Sequence, residues 1–166
     1  EKQQEREQKN KNGVIPEGWE KPENKSKLAQ KDIDADWTKK NGERHFGYKD
    51  HVKCDADSKL ITNYSVTSAT VHDSQRCLVF IGQEDEVLYA DSAYSGKQIA
   101  LALPENCKNQ ICEKGYRNSP LTSEQKMNNR RKSRIRCRIE QIFGFMTGAM
   151  HGITIRSIGI TRAWMN

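Results

Sequence analysis

Residues 87–96 read Val87-Leu88-Tyr89-Ala90-Asp91-Ser92-Ala93-Tyr94-Ser95-Gly96, and the fold class turns on this stretch. Four apolar residues follow the acidic turn Gln83-Glu84-Asp85-Glu86, which predicts a compact buried strand. That strand ends on Asp91, at the carboxyl end where open α/β sheets place their ligands. Downstream, a helix is predicted from about Gly96 to Leu103 and stopped near Pro104. A short strand over roughly 109–112 and a loop around Gly115 to Pro120 come next. Upstream, Asp73 or Ser74 is positioned to cap a short helix through Phe80, with Gly82 ending it. The order reads as α/β.

Further upstream the period changes. Phe46, Tyr48, Val52 and Cys54 alternate, broken at Asp50, as in a half-buried strand. Asp55-Ala56-Asp57-Ser58 supplies turn chemistry, and a second strand from Leu60 to about Thr67 completes a β-hairpin. Residues 1–44 differ. Val14, Ile15, Trp19, Leu28, Ile33 and Trp37 are nearly their only large apolar side chains. Such a segment buries too little apolar surface to offset its ordering entropy, so an extended or disordered arm is expected. The compact part then runs over 45–166, roughly 120 residues, enough for one core.

The last element predicted is a long helix from about Ser123 to Thr147. Ile135, Ile139, Ile142 and Met146 recur at helical spacing and form its buried stripe. Arg130, Arg134 and Arg138 step by four on another face, and Arg136 and Glu140 share a third line. Residues 126–138 hold Lys126, Arg130, Arg131, Lys132, Arg134, Arg136 and Arg138 with no acid among them. That concentration, within a net charge of +6, suits a polyanion, nucleic acid being the usual one. A solvated helix face is the other account of it.

Charged residues make up 30% of the 166 and hydrophobic ones 34%, at a mean hydropathy of -0.93. No apolar run is long enough to span a bilayer, and a cytoplasmic setting without a signal peptide is expected. Cys54, Cys77, Cys107, Cys112 and Cys137 are odd in number and scattered. Cys107 and Cys112 lack a second pair at zinc-finger spacing, which favours free thiols.

Two carboxylates stand out by position. Asp91 closes a strand, and Glu140 lies mid-helix among arginines suited to phosphates. In-line attack on a phosphodiester is helped by two Mg²⁺ ions about 4 Å apart, held by hard carboxylate oxygens. Such a site takes two or three acids from separate elements. On spacing alone, Asp91 reads first as a turn residue, and Glu140 first as a partner for Arg136 one turn earlier.

Four blocks add to this reading. They are WTKKNGERHFGYKDHVKCDADSKLI (37–61), VTSATVHDSQ (66–75), YADSAYSG (89–96) and RIRCRIEQIFG (134–144). In this order and at these separations, the stretch from Asp34 to Gly144 resembles the catalytic domain of DDE-type insertion-sequence transposases. The resemblance implies a ribonuclease-H-like (retroviral-integrase-like) mixed sheet flanked by helices. It also implies Mg²⁺-dependent cleavage and transfer of DNA strands at transposon ends, with Mn²⁺ as a substitute ion. By that resemblance Asp91 and Glu140 are the second and third catalytic acids and the metal ligands. Arg136 matches an arginine of the family signature. Arg130, Arg131, Lys132, Arg134, Arg138 and Lys49 are further expected DNA contacts, and His51 and His72 are expected near the site. His72 is equally a strand-to-helix turn residue. Tyr94 and Gly96 are expected to shape the loop after Asp91. DNA is the implied partner, a homo-oligomer on DNA the implied assembly, and the bacterial nucleoid the implied location.

The departures matter too. Ser133 stands at the signature's tyrosine position and Thr147 at its later lysine position. No strand carrying an Asp is legible before His45, where the family places its first acid, so the sheet is expected to lack its first strand. The chain is likewise expected to end before a further apolar helix and to lack an amino-terminal DNA-binding region. An unpaired sheet edge, marginal folding and weak or absent catalysis are the expected consequences. A non-catalytic DNA-binding remnant and a related nuclease are the alternatives.

Overall fold

The computed structural model describes residues 15, 18–40, 42–152 and 154–166. The chain divides into two compact units. One comprises Glu1–His51, Ser65–Val71 and Gly152–Asn166, the other Val52–Tyr64 and His72–His151. Strands β2 (Glu43–Cys54) and β3 (Ile61–Ser68) contribute residues to both.

In the first unit, a 3₁₀ turn (Pro22–Asn24) leads into helix α1 (Lys25–Ala29). Strand β1 (Asp36–Lys40) then pairs antiparallel with β2, from Asp36 opposite Gly47 to Lys40 opposite Glu43. The sheet order is β1-β2-β3. Gly42, at φ 90°, turns the chain between β1 and β2, a conformation that a side chain disfavours. Trp37 and Phe46 meet across the pair with ring centroids 5.2 Å apart. Val66, Thr67, Ala69, Ala35 and Ala163 are buried.

Asp32 organises this unit. Its Oδ1 accepts from the backbone N–H of Asp34 and of Ala35, each at 3.2 Å, and from the Tyr48 hydroxyl at 2.6 Å. Its Oδ2 accepts from the Gly159 N–H at 3.1 Å. Asp34 accepts from the N–H of Ile160, the first residue of helix α5 (Ile160–Met165), at 3.0 Å. Burial, then the bond from its hydroxyl to Asp32, pushes the Tyr48 phenol well above its usual range.

Some of these elements fall within the stretch expected as an arm. Of residues 1–44, 1–14, 16, 17 and 41 lie outside the described residues, but 22–29 turn helical and 36–40 pair in a sheet. Low apolar content did not prevent order, because Asp32 supplies acceptors and Trp37 supplies a large ring. The face of β2 also differs from expectation. Phe46 is exposed, while His51, on the opposite parity, is buried.

In the second unit, helix α2 (Asp73–Phe80) precedes strand β4 (Val87–Leu88), which pairs parallel with β5 (Lys108–Asn109). Helix α3 (Lys97–Ala102) lies between them in sequence, as a parallel connection requires. The strand expected at 87–90 is half-buried and shorter, yet the hydrogen bonding runs on, from the Cys112 N–H to the Ala90 carbonyl at 3.0 Å. Ile99, Ile111 and Cys112 are buried. The Lys53 ammonium bonds both Asp85 oxygens, at 2.6 and 2.7 Å, and the Phe80 carbonyl at 2.9 Å. Asp85 also accepts from the Gly82 N–H at 2.8 Å, which fixes the turn entering β4.

Helix α4 (Ser123–Gly148) matches its expected span to within one residue. A complete capping box starts it, with Thr122 and Gln125 bonding each other's backbone N–H. Its Ile135, Ile139, Ile142 and Met146 stripe is only half-buried, and no residue of α4 is fully buried. Polar ties hold it instead. Asn129 exchanges two bonds with the backbone of Glu113, both 2.9 Å, and Gln125 donates to the Glu113 carboxylate at 2.6 Å.

Candidate functional site

Asp91 follows β4 and precedes a 3₁₀ turn, Ser92–Tyr94. Its backbone carbonyl accepts from the Tyr94 N–H at 3.0 Å, and its Oδ1 accepts from the Ser92 hydroxyl at 3.0 Å. The carboxylate is exposed. Tyr94 is half-buried within electrostatic reach of Asp91 and Asp73. Burial, with those two carboxylates adding to it, pushes its phenol up to about 12. Tyr94 thus stays protonated beside Asp91 at any physiological pH. Gly96 precedes α3 and begins its hydrogen-bond ladder, accepting from the Ala100 N–H at 3.2 Å.

Glu140 projects from α4 and pairs with Arg136 one turn earlier, at 3.0 Å. The basic cluster divides in two. Lys132 donates to the Ile111 carbonyl at 2.9 Å, and Arg138 donates to the Ala56 carbonyl with Asp57 3.8 Å away. Those two, with Arg136, already have protein partners. Arg130, Arg131 and Arg134 are exposed and, among the described residues, make no ion pair. An exposed, unpaired guanidinium row on a rigid helix is a ready contact for a phosphate backbone.

Residues 17–165 match the transposase DDE domain family. The chain belongs to that family. It is 34% identical over 117 residues to the transposase for insertion sequence element IS1106 of Neisseria meningitidis serogroup B. That alignment covers 69% of this chain and 40% of the relative, so the chain spans about two-fifths of that protein's length. No solved structure matches.

In this transposase domain the expected site residues fall in different places. Asp91, Glu140 and His72 belong to the second unit, Lys49 and His51 to the first. His72 is the N-cap of α2. Its ring accepts from the Ser74 N–H at 3.3 Å, the cap expected of Asp73 or Ser74. His51 is buried, with Nε2 2.8 Å from the Thr67 hydroxyl. Lys49 donates to the Val71 carbonyl at 3.0 Å. Ser133 lies 3.8 Å from the Cys112 sulfur, and Thr147 donates back to the Gly144 carbonyl at 3.3 Å. Among the described residues, no helix is long and apolar enough to cross a membrane.

Among the described residues no three His, Cys, Asp or Glu side chains come together in a way that would hold a metal ion, and Glu140 gives Oε1 to Arg136. Sequence reasoning missed Asp32 and the Lys53–Asp85 pair. The Asn41-Gly42 dipeptide was the available signal for the first hairpin.

Proposed function

We propose that this chain is a DNA-gripping part of a transposase catalytic domain of ribonuclease-H-like fold. The intact enzyme would cut and join DNA at insertion-sequence ends. The observation that carries this reading is α4, which bears Glu140 together with the exposed Arg130, Arg131 and Arg134, in a chain whose family is transposase. Those guanidiniums fit phosphate oxygens in a bidentate fork, which gives affinity and register but little sequence information. Asp91 and Glu140 are the two acids this segment brings, and the family's activity generally needs a divalent metal. Among the described residues no third ligand groups with them, so these residues by themselves are expected to bind DNA and to cut it weakly or not at all.

The Arg136–Glu140 pair supports a second reading, a non-catalytic DNA-binding remnant whose acids are vestigial. The two readings agree on binding and part only on cutting, where any Mg²⁺-dependent activity belongs to the first. Three free arginines predict that duplex binding weakens with salt at a log–log slope of roughly −3. Binding is expected to be equal with Mg²⁺ or chelator present, and nicking of supercoiled plasmid to stay at background. Mg²⁺-dependent nicking that is lost in Asp91→Asn and Glu140→Gln would sink the remnant reading. Failure to bind duplex even at about 50 mM salt would sink both.

A further inference from the structure

Within the second unit, a groove of about 420 Å³ opens between the turn after β2 and the carboxyl half of α4. Leu60, Ile61, Ile142 and Phe145 give it apolar walls, with Lys59 and Arg138 at its cationic rim. Leu60 is 69% exposed and Phe145 62% exposed, so both are open to a ligand. Lys59 donates to Gln141 at 3.1 Å and keeps donors to spare, while Asp57 is set against Arg138.

The groove continues the cationic row. Arg131, Arg134, Arg138 and Phe145 fall at offsets of 3, 4 and 7 along α4, so they share one helix face. From Arg134 to Phe145 the helix rises roughly 16 Å, a distance a short oligonucleotide spans. We infer that the groove is a base-accepting subsite for single-stranded DNA, whose phosphates lie on Arg131 and Arg134 and whose unpaired base stacks on Phe145. This rests on the reading above that α4 meets DNA. The strand must be single, because in a duplex the base faces are stacked on one another and closed to an aromatic ring. The cationic rim sets a polyanion above an apolar peptide as the occupant.

The test is fluorescence anisotropy of the whole chain with a labelled single-stranded oligonucleotide and with its duplex. Phe145→Ala is expected to weaken single-strand binding about tenfold, the usual size of one lost stacking contact. Duplex binding is expected to stay within about twofold, which also reports an intact fold, and Phe145→Tyr is expected to restore the single-strand affinity. Equal loss on both DNAs, or loss on neither, overturns the subsite while leaving duplex binding by α4 standing. A wild-type chain that binds neither DNA overturns both. A dimer in sedimentation that disappears in Phe145→Ala, with single-strand binding kept, assigns the groove to a second copy and overturns it as well.

Discussion

Glu140 stands on a helix of 26 residues that opens with a full capping box and is tied to its surroundings by Gln125, Asn129, Lys132 and Arg138. Asp91 stands beyond two paired strand residues, just before a single 3₁₀ turn, with a serine neighbour for its side chain. One acid therefore rests on many small, separate supports. The other rests on a short parallel ladder and on the turn that feeds it, which Asp85 holds through Lys53 and the Gly82 N–H. Distributed support tolerates the loss of any one tie, whereas a single charged hub does not. The two acid-bearing regions should thus fail differently.

The largest effect is expected at the hub. Lys53 and Asp85 are only 21% and 16% exposed, so removing the carboxylate leaves an ammonium with one carbonyl partner in a partly desolvated site. A fully buried pair broken this way costs about 3–5 kcal/mol. Partial exposure lowers the expectation for Asp85→Ala to about 2 kcal/mol in urea unfolding. Hydrogen exchange should show protection lost first across residues 82–112. Uniform loss across α4 as well would mean that the two regions share one support.

Asn129→Ala attacks the other region. It removes both bonds to the Glu113 backbone and leaves a half-buried N–H and carbonyl unpaired. The expected cost is about 1–2 kcal/mol. Because Lys132, Arg138 and the capping box remain, local exchange should quicken around residues 111–129 while the Glu140 end of α4 keeps its protection. Fraying of the whole helix would contradict the claim of distributed support.

The same contrast explains what was legible in the sequence. Helix α4 was read to within a residue because its apolar spacing and its Thr122 cap are local signals. Helix α2 was legible in the same way, although its cap is His72, since a histidine ring is a rarer acceptor than Asp73 or Ser74 beside it. The first hairpin was not read. The Asn41-Gly42 dipeptide was visible, but the surrounding lysines and glutamates made the segment look unable to bury anything. Contacts closed over long separations were beyond reach. Asp32 meets Gly159 127 residues later, Lys53 meets Asp85 across 32, and the groove joins Leu60 to Phe145. No periodicity in a single sequence records such meetings. The pairing of Glu140 with Arg136 was legible, because positions one turn apart face each other.

That pair gives the smallest expected effect and the sharpest probe of Glu140. Arg136 is 27% exposed and Glu140 59%, and the basic residue lies on the amino-terminal side, the weaker order for such pairs. Arg136→Ala is therefore expected to change stability by less than about 0.5 kcal/mol. Its effect on DNA is more informative. If Arg136 stays on Glu140 when DNA binds, the salt slope for duplex binding is unchanged in Arg136→Ala, whereas Arg134→Ala lowers it by roughly 0.9. We expect that difference. An equal drop in both variants would show that the pair opens on DNA, handing Arg136 to a phosphate and releasing the Glu140 carboxylate at the moment a substrate is present.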